Sequence, residues 1–161
     1  MDTFHPMLKK HLNKLTNQLI PRKLFTPMCG KTVDMAVLAK MGHSVVGVEF
    51  YEFAVQVFFN ENNITCSKKY VPLLDGILYE SGEFDLRVYW TNILQFNPKL
   101  ENSFDGVWDR GGLESIDIPL RKKNANVMTS ILSKGTNYLL DTWDRPPGIG
   151  PPYYIFQRKN L

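Results

Sequence analysis

Short runs of β-branched and apolar residues alternate with helical patterns along this chain, and this alternation most constrains its fold. Runs of this kind are typical of strands, and the segments between them carry apolar residues at helical spacing. The predicted strands are Lys23–Thr26, Ser44–Val48, Phe104–Trp108 and Asn137–Thr142. The alternation predicts an α/β fold in which a mostly parallel sheet is flanked by helices.

Two further segments, Ile77–Tyr79 and Leu86–Tyr89, either pair as strands across Ser81-Gly82 or include one irregular piece. Ligands bind beyond the carboxyl ends of the strands in parallel sheets of this kind. The loops in which we expect functional residues are therefore 27–32, 49–52, 90–96 and 108–113.

Four helices are predicted between and before the strands. An apolar stripe marks the first, Thr32 or one of its neighbours is placed to cap the second, and the third spans Glu52–Asn60. Pro119 suits the first turn of the fourth, and Gly135 is expected to end it. The predicted inward residues of the first helix are Leu8, Leu12, Leu15 and Leu19, and those of the fourth are Ala125, Met128, Ile131 and Leu132.

Composition excludes several classes of protein. The 161 residues suit one domain, and 43% hydrophobic residues with 22% charged residues allow a buried core. A net charge of +3 is too small to argue for nucleic acid, and no apolar run is long enough to span a membrane. Two cysteines cannot build a disulfide framework, and the three histidines lack metal-ligand spacing, so no metal site is predicted.

The first twenty residues form a basic amphipathic segment. It is either a helix packed on the domain or a mitochondrial presequence. The absence of arginine before Arg22 and of serine before Ser44 favours the packed helix. We therefore expect a cytoplasmic location.

Glu49 is the first candidate for ligand binding. It follows the second strand, 19 residues after Gly30, where nucleotide-binding βαβ units place an acid that accepts hydrogen bonds from ribose hydroxyls. By spacing alone, a solvated acid at a strand end fits equally well. The first loop has one glycine rather than G-x-G-x-x-G, so a pyrophosphate would be poorly held, which disfavours an NAD-linked oxidoreductase and favours an adenosine ligand without a diphosphate.

Five segments in order resemble the thiopurine S-methyltransferase family. They are Pro27–Met35, Gly42–Glu49, Ala54–Phe59, Trp108–Leu113 and Gly150–Tyr154. The resemblance runs from about Phe4 to Tyr154. It implies a Rossmann-like class I methyltransferase, a three-layer sandwich that uses S-adenosyl-L-methionine.

The resemblance also implies roles for particular residues. The cofactor would be bound by Met28 from the first loop, by Glu49 at the ribose, by Asn92 and Ile93 at the adenine, and by Arg110. Arg110 would also lie beside the entering substrate, where a cation favours the thiolate form of a thiol, so it is the predicted catalytic residue. Phe4 matches an aromatic position that lines the substrate pocket.

Each of these residues also has a purely structural interpretation. Met28 fills gaps in cores, Asn92 suits a turn, Arg110 can pair with Asp109 or cap a helix, and a terminal aromatic such as Phe4 often only packs. Cys29 is interpreted as a buried small thiol rather than a nucleophile, because no histidine-centred arrangement accompanies it.

The sequence departs from the family pattern at both ends. Few residues precede Phe4, and the segment after the Gly150–Tyr154 motif is short, so the last strands of the family are expected to be missing. The strand Asn137–Thr142 would then be an edge, which predicts marginal stability or self-association through that edge. Residue Asn124 stands where the family usually has an aromatic.

The sequence leaves two candidate functions for this chain. The first is S-adenosylmethionine-dependent methyl transfer to an aromatic or heterocyclic thiol, with a small-molecule thiol as substrate and neither nucleic acid nor membrane as partner. The alternative is a shortened, catalytically weak or silent isoform that keeps the fold as a binding or regulatory protein. We expect a single domain over 1–161, with an N-terminal helix region 1–20, a cofactor-binding core 21–145 and a Pro/Gly loop and tail 146–161.

Overall fold

A computed structural model describes residues 4–142. Its four helices and seven strands follow one another along this part of the chain, joined by three single turns of 3-10 helix. In chain order they are α1 (Pro6–Thr16), β1 (Lys23–Pro27), α2 (Val33–Lys40), β2 (Ser44–Glu49), α3 (Glu52–Glu61), β3 (Cys66–Val71), β4 (Gly76–Ser81), β5 (Leu86–Trp90), β6 (Phe104–Arg110), α4 (Arg121–Ile131) and β7 (Leu132–Asp141). The 3-10 turns are Pro72–Leu74, Ile93–Gln95 and Ile118–Leu120.

The strands of the described residues form one sheet in the order β3-β4-β5-β2-β1-β6-β7. The five strands β5, β2, β1, β6 and β7 are parallel, and β4 joins β5 antiparallel, with β3 antiparallel to β4. Strands β1 and β2 are buried through almost their whole length because helices cover both faces of a parallel sheet. The predicted α/β architecture is confirmed.

The segments 77–79 and 86–89 do pair as strands, since Ile77 lies opposite Trp90 and Tyr79 opposite Val88. The strand β3 was not predicted. Four of its six residues are exposed, as expected of a strand whose outer edge has no partner within residues 4–142.

Two predicted helix faces need correction. The first helix ends at Thr16, so Leu19 lies outside it and is 53% exposed, while Leu8 and Leu15 are buried as expected. In α4 the buried residues are Asn124, Met128 and Ile131, at spacings of four and three. Met128 and Ile131 are buried as predicted, but Ala125 is exposed, and Asn124 takes its place on the inward face.

The predicted end of α4 and start of the last strand were also wrong. The helix ends at Ile131, four residues before Gly135, because Leu132 takes an extended conformation and pairs with Phe104. Gly135, with φ +89°, lies inside β7 at an irregularity between its two paired segments. The hydroxyl of Thr136 spans this irregularity by donating to the Phe104 carbonyl at 2.6 Å.

Candidate active site at the carboxyl ends of the strands

The loop after β1 turns sharply over the end of β2. Met28 and Gly30 both have positive φ, at 45° and 56°, and Thr32 caps α2 by accepting from the Asp34 amide. Gly47 of β2 makes this close approach possible, because a Cβ there would lie 2.9 Å from the Cys29 Sγ. The loop therefore lies directly against the strand that carries Glu49.

Glu49 ties two loops together. Its Oε2 accepts from the Gly30 amide and its Oε1 accepts from the Tyr51 amide, both at 2.8 Å. An ionised carboxylate offers about four acceptor sites, so two remain for hydroxyl donors. The Glu49 carboxylate is held in place by two backbone amides, unlike the solvated acid considered from spacing alone. Its remaining acceptor sites are compatible with the hydroxyl groups of a ribose.

A first cavity of about 590 Å³ opens beside this loop. The residues that line it come from the N-terminal segment, the loop after β1, the start of α2 and the end of β6. They are Phe4, His5, Pro6, Cys29, Gly30, Lys31, Thr32, Val33, Asp34 and Arg110. Two residues predicted from distant parts of the sequence, Phe4 and Arg110, are thereby brought to one cavity.

Arg110 is exposed, and its side chain makes no hydrogen bond or ion pair with any residue in the range 4–142. The neighbouring Asp109 does not pair with it. Asp109 Oδ1 accepts from the Gly112 and Leu113 amides, and its Oδ2 accepts from the Tyr138 hydroxyl at 2.7 Å. The guanidinium is therefore available to a ligand in the first cavity.

A second cavity of about 290 Å³ lies beside Val48 and Phe50, the chain neighbours of Glu49. Its lining is mostly apolar and includes three of the predicted cofactor residues, Met28, Asn92 and Ile93. Asn92 also has a structural role, because its Oδ1 accepts from the Leu94 amide at 2.9 Å and caps the turn Ile93–Gln95. A flat aromatic base fits such a cavity, with apolar faces and a few polar groups at the rim.

The electrostatics of the loop argue against a nucleophilic cysteine. Burial raises the pKa of the Cys29 thiol well above its usual value, and the negative charge of Glu49 raises it further. The neutral thiol is a poor nucleophile. Cys29 is therefore a packing residue, as the sequence predicted.

The predicted site residues fall into three groups: Phe4 and Arg110 line the first cavity, Met28, Asn92 and Ile93 line the second, and Glu49 lines neither but is bonded to Gly30 of the first. Sequence reasoning missed Asp34 and His5, which also line the first cavity. An acid two residues after the capping Thr32 was the one available signal. The predicted Gly150–Tyr154 loop lies outside the described residues.

Comparison with known proteins shows that this chain is similar to the members of one family. The family described as thiopurine S-methyltransferase matches residues 1–160. A probable thiopurine S-methyltransferase of Danio rerio is 36% identical over 154 residues, which cover 94% of this chain and 66% of that protein. The thiopurine S-methyltransferase of Oryctolagus cuniculus is also 36% identical, with 94% of this chain and 63% of that protein covered. The chain thus spans just under two thirds of the length of these relatives.

Solved structures show the same fold at low identity. The glycopeptide N-methyltransferase MtfA, complexed with sinefungin, has a TM-score of 0.59 at 11% identity, with 86% of this chain and 50% of that chain covered. A TehB-like SAM-dependent methyltransferase of Corynebacterium glutamicum has a TM-score of 0.54 at 15% identity, over 76% of this chain and 56% of that chain.

The sheet order, the cavities at the carboxyl ends of its strands and the match over nearly the whole chain agree with one another. The solved structures show that the chain has the Rossmann-like fold of class I methyltransferases. The similarity in sequence identifies the family within that fold. The chain belongs to the thiopurine S-methyltransferase family.

Proposed function

We propose that this chain binds S-adenosyl-L-methionine and transfers its methyl group to an aromatic or heterocyclic thiol of the thiopurine type. The observation that carries the proposal is the position of Glu49 at the carboxyl end of β2, bonded to Gly30 of the first cavity and flanked in the chain by Val48 and Phe50 of the second. Family membership supports the reaction class, and this geometry supports a cofactor site at the carboxyl ends of the strands.

The two cavities match the two halves of the cofactor. The second cavity would hold the adenine against Met28 and Ile93, with Asn92 at its rim, and Glu49 would accept hydrogen bonds from the ribose hydroxyls. The first cavity would then take the methionine half, where Arg110 is a cation without a partner among residues 4–142. We assign the cofactor-binding roles of these five residues on that basis.

When bound, S-adenosylmethionine supplies an activated sulfonium methyl, so the protein needs little acid–base chemistry. Its main contribution is alignment of the acceptor, and well-oriented reactants lower a barrier by about 7–11 kcal/mol. Arg110 would hold the acceptor sulfur as a thiolate, because a nearby cation lowers the pKa of a thiol. Phe4 would pack against the aromatic ring of that acceptor.

Cofactor binding is tested by calorimetry with S-adenosylhomocysteine. Glu49→Gln is expected to weaken binding about 10- to 100-fold, the equivalent of about 1.5–3 kcal/mol for a hydrogen bond to a charged group. The control is Glu83→Gln, an exposed carboxylate bonded to Thr65 away from both cavities. Equal affinity in wild type and Glu49→Gln would contradict the ribose assignment.

The reaction is tested by transfer of a radiolabelled methyl group to an aryl thiol. Arg110→Ala and Arg110→Met are expected to lower the rate and to shift its pH dependence upward, since the thiolate then forms at higher pH. An unchanged rate and pH profile in both variants would remove Arg110 from the mechanism.

The remaining proposals concern the setting of the activity. The protein would act as the single domain predicted over 1–161, in the cytoplasm, where a reducing environment suits the two free cysteines, Cys29 and Cys66. Among residues 4–142, no helix is both long and apolar enough to cross a bilayer. The test of location is cell fractionation.

Self-association through the sheet edge also remains a proposal. Strand β7 is the last strand on its side among the described residues, and its Tyr138 and Leu140 are each 42% exposed. Light scattering over a range of concentrations is expected to show a mass above that of the monomer. A monomer at every concentration, with a cooperative melt above about 60 °C, would contradict it.

A further inference from the structure

A buried carboxylate that the proposed reaction does not use lies beneath the first cavity. Asp34 is the second residue of α2 and is 1% exposed. Its Oδ1 accepts from the His5 amide at 2.8 Å. Its Oδ2 accepts from the Trp108 indole Nε1 at 3.0 Å and from the Thr32 hydroxyl at 3.1 Å. One side chain therefore joins three elements that are far apart in sequence.

Each of these elements carries a residue of the candidate site. His5 follows Phe4, Trp108 lies two positions before Arg110 on β6, and Thr32 ends the loop that contains Met28 and Gly30. The three donors of Asp34 among residues 4–142 are all neutral, so within this range the carboxylate is held by hydrogen bonds rather than by a cation. Such bonds to an ionised acceptor are short and directional, which suits an anchor.

The contacts of His5 strengthen the attachment of the N-terminal segment. Its ring lies 5.5 Å from the Trp108 ring, between centroids, and its Nε2 lies 3.6 Å from the Asp141 Oδ2 of β7. The neighbouring Phe4 packs against the hydrophobic core. The N-terminal segment thus crosses the ends of β6 and β7. The Asp34 carboxylate lies beneath it and holds it through the hydrogen bond from the His5 amide.

We propose that Asp34 is a positioning residue that holds the N-terminal segment over the active site and sets the distance between Phe4 and Arg110. This role rests on the proposed function, because its effect on catalysis requires that the acceptor bind between those two residues. The attachment itself does not depend on that function. Both parts are therefore separately measurable.

The test variant is Asp34→Asn, which keeps the size of the side chain. Its amide oxygen still accepts from one donor, but its NH2 group faces donors at the other position, so it loses either the His5 amide or the Trp108 indole. Misplacement of a reacting group by about 1 Å costs on the order of 100-fold in rate. We expect that loss in kcat/KM for the thiol, with a smaller change in the affinity for S-adenosylhomocysteine.

The matched control is Glu101→Gln. Glu101 is also a buried carboxylate with three donors, but these come from Lys23, Arg87 and Tyr89, away from both cavities. Both variants are compared at a temperature where each is fully folded. A fall in kcat/KM for Asp34→Asn alone supports positioning, and an equal fall in both variants overturns it.

A second measurement does not require activity. Hydrogen exchange of the His5 amide and of the Trp108 indole is followed by NMR in the full chain. It is expected to speed up at least tenfold at one of these two groups in Asp34→Asn and to stay unchanged at both in Glu101→Gln. Unchanged exchange at both groups in Asp34→Asn overturns the anchor, even if the enzyme is active. If wild type shows the protected groups but no methyl transfer, the proposed function fails while the anchor stands.

Discussion

The two ends of the parallel sheet both bury carboxylates, but they satisfy them with different donors. Near the amino ends of the strands, Glu101 is 8% exposed and contacts the Lys23 Nζ at 2.8 Å and the Arg87 Nε at 2.7 Å. At the carboxyl ends, Asp34 and Asp109 are 1% and 2% exposed and accept from backbone amides and neutral side chains.

This difference in donors separates the charges that stabilise the fold from the charge that a ligand can use. At the amino end, cations and anions neutralise each other within the fold, so little charge is left for a ligand. At the carboxyl end, the acids take neutral donors, which leaves the Arg110 guanidinium unpaired among residues 4–142 and directed to a cavity. The charge that a ligand can use is thus kept at the end of the sheet where open α/β folds bind their ligands.

The pKa values of the buried carboxyl groups at the two ends of the sheet shift in opposite directions. Burial by itself raises the pKa of Glu101, but hydrogen bonds from Arg87 and Lys23 outweigh it, and the pKa is lowered. Burial also raises the pKa of Asp109, and there the bonds from Tyr138 and two amides do not outweigh it. Cations thus compensate burial where neutral donors do not.

The largest expected effect is loss of stability at the amino end. Glu101→Ala leaves the half-buried Arg87 without its main partner and is expected to cost about 3–5 kcal/mol of unfolding free energy, measured by denaturant titration. The control is Asp85→Ala. Asp85 also pairs with Arg87 but its side chain is 58% exposed, so its loss is expected to cost about 0–1 kcal/mol. Equal costs in the two variants would contradict the comparison.

A smaller effect is expected from crowding the carboxyl end. Gly112→Ala places a Cβ 2.6 Å from the Asp109 Oδ1 and 3.1 Å from the Pro27 carbonyl, which is expected to cost about 1–3 kcal/mol of unfolding free energy. The Asp109 carboxylate must shift, so binding of S-adenosylhomocysteine should weaken as well. In Gly82→Ala the new Cβ meets nothing within 4 Å, and neither quantity should change.

The smallest effect concerns acid titration. The lowered pKa of Glu101 contributes stability at neutral pH that is lost as the pH falls below about 4.5, the ordinary value. The raised pKa of Asp109 acts in the opposite sense, because its cost disappears as the carboxyl protonates. Between pH 6 and pH 3, Glu101→Gln should therefore lose less unfolding free energy than wild type.

The companion variant Asp109→Asn should lose more than wild type over the same range. It removes a group whose protonation stabilises the folded state, while its amide can still accept from the Gly112 amide and donate to the Tyr138 hydroxyl. Denaturant titrations at several pH values measure both slopes. Parallel slopes in the two variants would show that the ends do not differ in this way.

Much of the fold followed from local pattern. The strands β1, β2 and β6 and the cap at Thr32 were predicted close to their observed bounds, because strong β-branched runs and capping chemistry are local signals. The polar edge strand β3 and the end of α4 at Ile131 were not predicted. Both depend on pairing with distant residues, such as Tyr79 with Lys68 and Phe104 with Leu132.

The candidate site divides in the same way. The residues Met28, Glu49 and Arg110 stand at strand ends, where chain order in a parallel sheet predicts that they meet. The anchor at Asp34 was not predicted. Its partners His5 and Trp108 are 29 and 74 residues away, and no local pattern relates them.

The sequence by itself determined the α/β class, the family and the edge of the sheet at which ligands bind, because these follow from periodicity, strand order and motif residues. Only the tertiary structure decided which charges are paired and which are left for a ligand. Hydrogen bonds to Asp109 and Asp34 join residues from several elements, and their donors become neighbours only when the sheet assembles. Arg110, which has no partner within the described range 4–142, is left at the first cavity by that assembly.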